Sequence, residues 1–248
     1  MPPLTPAGTR QPVAARPAGL GVGVPGCAHP LLAPLEWAGL GRPGVPLHWA
    51  VLDVAHGPGV RPDPHCLEAA GRLRNGGVRV LGHLDMCFGA RHPADIAADA
   101  RRYVEWYLVD GFLLHRCPSG RVGLDRTRRT VAGLRALRDG GHVVLGHGRH
   151  PDPGYAETAD QLVTFAGPWS EYRWSQAPEW TAEHPAERFC HLVHGVPRGH
   201  LEEALRTARW QGAATVWFTD RTGPDDPWAT LPGYWDEIVS RIGTSVSE

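Results

Sequence analysis

The 248-residue chain contains no lysine: all 25 of its basic residues are arginine. That uniformity reads first as the mark of a GC-rich genome. Charge is scarce in net terms, at −1. A dedicated binder of nucleic acid or of an anionic membrane needs a concentrated basic face, so neither partner is expected. No apolar run approaches the roughly 20 residues that span a bilayer. The five cysteines, Cys27, Cys66, Cys87, Cys117 and Cys190, are odd in number and include no CxxC pair. This excludes a disulfide framework or a cysteine-rich zinc site as the basis of the fold. No GxGxxG opens a helix after the first strand-like run, and there is no Walker A loop. HxH and HExxH spacings are also missing, so no metal is expected at the histidines and no cofactor is implied.

What the chain has is histidine, 14 in all and spread along its length. Residues 1–19 are rich in Pro and Ala and lack the continuous apolar core of a signal peptide. They read as a flexible tail on a reduced, cytoplasmic protein, with one domain over 20–248.

Eight short apolar runs follow: Leu20–Pro25, Leu47–Val54, Val78–Leu84, Gly111–His115, His142–Gly146, Gln161–Phe165, Phe189–Val193 and Ala213–Thr219. They are Val/Leu-rich and bounded by Gly or Pro, as strands buried on both faces are. Helical stripes lie between them. Ile96, Ala100, Tyr103, Val104 and Tyr107 follow Pro93, and Leu67, Ala70 and Leu73 precede Asn75-Gly76-Gly77. Further stripes are Val131, Leu134 and Leu137, then Leu201, Leu205 and Ala208, and finally Tyr234, Trp235, Ile238 and Ile242. Strand then helix, repeated about eight times, predicts an α/β fold: a single (β/α)8 TIM-type barrel. Gly19-Leu20-Gly21-Val22-Gly23 lies within a strand and is not a dinucleotide loop.

A barrel gathers its chemistry at the C-terminal strand ends. There the sequence places Asp53, His83 with Asp85, His115 with Arg116, His147, His194, and Asp220. His83 and Asp85 are two apart and share a strand face, the usual arrangement of an imidazole oriented by a carboxylate. The expected catalytic set is therefore His115, His83, Asp85 and Asp53, with Asp85 as the partner of His83. Arg116, His147, Trp169, His194 and Asp220 are the expected substrate-binding set, with Trp169 as a stacking platform. Structural readings stand beside these: His83 as part of a polar barrel layer, Asp53 as a carboxylate pairing an arginine or backbone amides, His194 as a loop cap. His29, His65, His92, His142, His184, His191 and His200 read as surface or structural.

Several segments, in order, carry a family resemblance: Gly57-Pro58-Gly59, VRVLGHLDMCFGAR over Val78–Arg91, Asp95 to Phe112, Val163-Thr164-Phe165, His191–Gly195, and Pro227–Trp235. Together they resemble the spherulin-4 (spherulation-specific family 4) proteins across about residues 20–242. The resemblance implies a (β/α)8 barrel related to glycoside hydrolases, whose characterised relatives cut galactosamine-containing polysaccharides. It also implies catalytic acids at the end of strand 4 and on strand 6. This chain has His115 and Arg116 at the first place and Ala166 at the second. His83 and His147 stand where the family more often shows Tyr and Pro. A glycosidic bond is normally cut by two carboxyl groups. The expectation is thus a repurposed barrel doing His/Asp acid–base chemistry on a small molecule, a tailoring step of specialised metabolism. A glycosidase acting on amino-sugar polymers with relocated acids, and a non-catalytic binder of a carbohydrate or metabolite, are the alternatives.

Overall fold

The computed structural model describes residues 19–222 and 226–243. Most of the tail read over residues 1–19 lies outside the described residues.

Eight parallel strands close in sequence order into a barrel. They are β1 (Gly21–Val24), β2 (Leu47–Leu52), β3 (Arg79–Asp85), β4 (Gly111–His115), β5 (His142–Gly146), β6 (Gln161–Pro168), β7 (Phe189–His194) and β8 (Thr215–Phe218). Each falls on one of the eight apolar runs, and the fold is the expected (β/α)8 barrel. Helices α1 (Pro34–Leu40), α2 (Pro64–Asn75), α3 (Pro93–Arg102) and α4 (Leu124–Leu137) cover the first four crossovers. After β6 comes only the single turn α5 (Trp169–Tyr172), and α6 (Leu201–Trp210) and α7 (Trp235–Gly243) follow β7 and β8. Proline opens α1, α2 and α3, where its missing N–H costs no helix bond. The α3 stripe runs on through a wide turn, Tyr103–Tyr107, that Leu108 closes at φ +55°.

Two crossovers depart from a strict strand–helix alternation. Between β5 and β6 the described structure has one 3₁₀ turn, Pro153–Tyr155, and the path from α5 to β7 carries only 3₁₀ turns. Pro151, Pro153, Gly148 and Gly154 break the first segment, and Pro178 and Pro185 the second. One helical phase also differs. α2 buries Cys66, Ala69, Ala70 and Leu73, whereas Leu67 is 40% exposed.

The glycines of β1 have a packing reason. A Cβ at Gly21 would stand 2.0 Å from the His48 ring, and one at Gly23 would stand 2.4 Å from the Trp49 ring. They clear space for the N-terminal floor of the barrel, where the Trp49 indole N–H donates to Gln161 Oε1 (2.7 Å) and the Gln161 amide donates to Thr215 Oγ1 (2.8 Å). These bonds tie β2, β6 and β8 together at the floor, and the cavity lies at the opposite end of the strands.

Candidate active site

A cavity of about 810 Å³ opens at the C-terminal ends of the strands. Asp53, His83, His115, Arg116 and His147 all line it, together with Ala166. The β3–β4 register pairs His83 with Leu113 and Asp85 with His115. Leu113 and His115, two apart on β4, both face the cavity.

His83 faces Asp53. Its Nδ1 lies 3.5 Å from Asp53 Oδ2, longer than a good hydrogen bond and close enough to tighten around a ligand. The other Asp53 oxygen, Oδ1, accepts from the Gly57 N–H at 2.8 Å, which fixes the carboxylate. The His56-Gly57 turn that makes this possible is left-handed, with φ of +53° and +149°. The His83 and His115 rings are neighbours, 5.3 Å between centroids. Burial lowers the pKa of His83, against the pull of Asp53 and Asp85. Burial lowers that of His115 too, helped by the neighbouring His83. Both rings are therefore neutral at pH 7 and available as bases or N–H donors.

Asp85 has a different partner from the one expected. Arg116 grips it with two nitrogens, Nε to Oδ1 at 2.9 Å and Nη2 to Oδ2, and the Cys87 N–H adds a third bond at 2.8 Å. Burial pushes the Asp85 carboxyl upward, and the bonds from Arg116 and Cys87 outweigh it and hold it well below the usual carboxylate range. Arg116 (φ +51°), Cys87 (φ +45°) and Phe88 (φ +54°) are all left-handed and lie just past the ends of β4 and β3, where strand alternation no longer sets which way Arg116 and Cys87 turn. The charge on Arg116 is matched by Asp85, and the arginine stands at the cavity rim beside Phe88.

His147 is 7% exposed and packs edge-on to Tyr155, 4.7 Å between centroids. Burial lowers its pKa to about 4.

Three expected binding residues stand off the cavity. Trp169 is buried against Tyr172 and His200. Asp220 accepts from the Gly233 N–H at 3.0 Å and fastens the loop before α7. His194 is not among the lining residues and packs edge-on to Trp228 at 5.7 Å. The aromatic side chains on the cavity are instead Trp228 and Phe88. Trp228 was visible only inside the Pro227–Trp235 motif, and nothing in its local spacing set it apart. Asp226 and Arg149 also line the cavity without a sequence signal. Among the described residues no helix is long and apolar enough to cross a membrane.

The comparisons with known proteins agree with the fold. Sph3 from Aspergillus clavatus, solved in complex with GalNAc, superposes with a TM-score of 0.79 at 23% identity, covering 91% of this chain and 98% of that one. A glycosyl hydrolase family 2 member from Bacteroides cellulosilyticus follows at 0.53 and 13% identity, over 82% of this chain and 28% of that one. A family 2 beta-galacturonidase from Eisenbergiella tayi, bound to galacturonate, gives 0.51 at 11% identity, over 93% and 51%. These likenesses establish the barrel. No curated protein matches the chain by sequence. Residues 34–242 match the spherulation-specific family 4 (Spherulin4), and the chain belongs to that family.

Proposed function

We propose that this barrel is a metal-independent acid–base enzyme acting on a small, hydroxylated, carbohydrate-like molecule. One observation carries the reading: His83, His115 and His147 converge with Asp53 on one cavity, and the positions where the family resemblance implies acids hold His115, Arg116 and Ala166 on that same cavity. In this reading His83, oriented by Asp53, takes a proton from substrate. His115 donates a hydrogen bond or proton to the oxygen that gains charge, and His147 contacts the ligand. Trp228 offers the flat apolar face on which a sugar ring stacks. The GalNAc held by Sph3 supports a ligand of that size and polarity. Cyclisation, elimination, isomerisation and hydrolysis all need such a proton transfer, and any of them would serve as a tailoring step in the cytoplasm.

A second reading rests on Asp53 and Asp226, two carboxylates that both line the cavity. They are the relocated acids of a glycosidase if their oxygens come to the roughly 5 to 9.5 Å that glycoside hydrolysis uses.

Incubation with amino sugars, sugar acids and galactosamine oligomers, followed by NMR, separates the readings. The proposal expects conversion of a small molecule, cut about 10²–10⁴-fold by His115→Ala with the fold intact. Wild-type turnover by that variant sinks it. Cleavage of oligomers that survives His115→Ala and dies with Asp53→Asn establishes the glycosidase. Ligand bound and returned unchanged makes the protein a binder.

A further inference from the structure

A second cluster of donor atoms lies beside the cavity, and the reaction above makes no use of it. His29 follows β1, while Asp63 is the N-cap of α2 and Cys66 sits in its first turn. His29 Nε2 is 3.3 Å from Asp63 Oδ2, although the two are 34 residues apart in sequence. With Cys66 Sγ, these atoms all lie within 4.8 Å of one another. We propose that His29, Asp63 and Cys66 bind a divalent ion of the zinc class, with a fourth position open to solvent.

The geometry supports the assignment. Four ligands at tetrahedral angles and ordinary Zn–N, Zn–O and Zn–S lengths stand about 3.3 to 3.6 Å from one another. The His29–Asp63 edge already has that length at 3.3 Å, and Cys66 Sγ, within 4.8 Å of both, needs to close by at most roughly an ångström. The donor set of imidazole, carboxylate and thiolate suits zinc and excludes calcium or magnesium, which take oxygen. Asp63 is prepared for the task. Its Oδ1 caps α2 by accepting from the N–H groups of His65 (2.9 Å) and Cys66 (3.1 Å), so Oδ2 alone is left for an ion. The Tyr107 hydroxyl accepts from the Asp63 N–H at 3.1 Å and donates to the Pro58 carbonyl at 3.0 Å, which anchors the turn.

Proton accounting sets the cost. Cys66 is fully buried, and burial with the Asp63 charge pushes its thiol up to about 12. An incoming ion must therefore displace one proton from that sulfur, so affinity rises with pH. The Leu31 N–H donates to His29 Nδ1 at 3.3 Å. Binding at Nε2 moves the ring proton to Nδ1 and gives up that exposed, weak bond.

His29 also borders the main cavity, which places the ion at its edge. The site and the acid–base reading share no catalytic group and fail separately.

The test uses the full chain, stripped with chelator and titrated with Co²⁺, then Zn²⁺. The expected result is one equivalent of cobalt with a thiolate-to-metal absorption in the near ultraviolet, displaced by one equivalent of zinc. Cys66→Ser removes the absorption. His29→Ala, a change at a half-buried loop residue outside the hydrophobic core, weakens zinc binding at least about tenfold, the least that loss of a supporting group costs. A His83→Gln/His115→Gln double variant keeps both signals. The proposal is overturned by no cobalt binding at micromolar metal, by binding without the thiolate absorption, or by a site that survives His29→Ala and vanishes in the double variant.

Discussion

The guanidinium of Arg116 and the carboxylate of Asp85 form a two-pronged pair, with Nε to Oδ1 at 2.9 Å, across the ends of β3 and β4. Such a fork is geometrically specific, and it withdraws both charges from the chemistry of the cavity. In the proposed reaction Asp53, 3.5 Å from His83 Nδ1, is then the carboxylate that orients His83. Asp53→Asn is expected to reduce kcat/KM far more than Asp85→Asn in the NMR assay. Equal losses would return the orienting role to Asp85.

The pH profile follows from the burial of His83. Its pKa lies below the ordinary imidazole value, so the neutral, basic form persists into mildly acidic solution. kcat/KM is expected to rise through a limb below pH 6.5 and to stay level above it. Asp53 favours the charged ring, and its removal by Asp53→Asn moves the limb to still lower pH. A limb that moved upward would contradict the pairing.

Acid stability has a separate source. His147 is held neutral with a pKa of about 4, and His191, fully buried against the Tyr172 hydroxyl, has one of about 3. In the unfolded chain both titrate near 6.5, so below that pH the unfolded state takes up protons first. Stability is complete above about 6.5 and falls as pH drops toward each folded pKa, by up to about 1.4 kcal/mol per pH unit for each ring. Thermal melts of His147→Phe should show a shallower acid decline than the wild type. An unchanged slope would assign the loss to other groups.

Gly82 tests the packing of β3 on its helix. A Cβ there would stand 2.6 Å from the Tyr103 ring, which is itself fully buried. Gly82→Ala is expected to cost about 1–3 kcal/mol in urea unfolding, as overpacked cores do. A neutral outcome would mean that the Tyr103–Tyr107 turn yields easily.

The strands were legible because burial on both faces writes an unbroken apolar run, and Gly or Pro marks its ends. Periodicity placed most helical stripes but set Leu67 on the wrong side of α2, since Cys66 and Ala69 read as weakly apolar and carry the true face. At the site, His83, His115, His147 and Asp53 were legible as strand ends. The partner of His83 was not, because Asp53 comes from the end of a different strand and Asp85 is taken by Arg116, whose left-handed backbone just past β4 no alternation pattern foretells. Trp228 reaches the cavity from a loop, and the contact of His29 with Asp63 joins distant segments. Neither leaves a trace in local spacing.

The crossover from β5 to β6 has no helix of its own, only the short turn that carries Tyr155. In most barrels a loop can be exchanged while the outer helix keeps the scaffold intact. Here one stretch does both jobs, since the fully buried Tyr155 that it carries is the residue on which the His147 ring rests. Grafting this stretch from a relative would erase the seat of that imidazole along with the wall. Diversification of the pocket has freer room at the other rims.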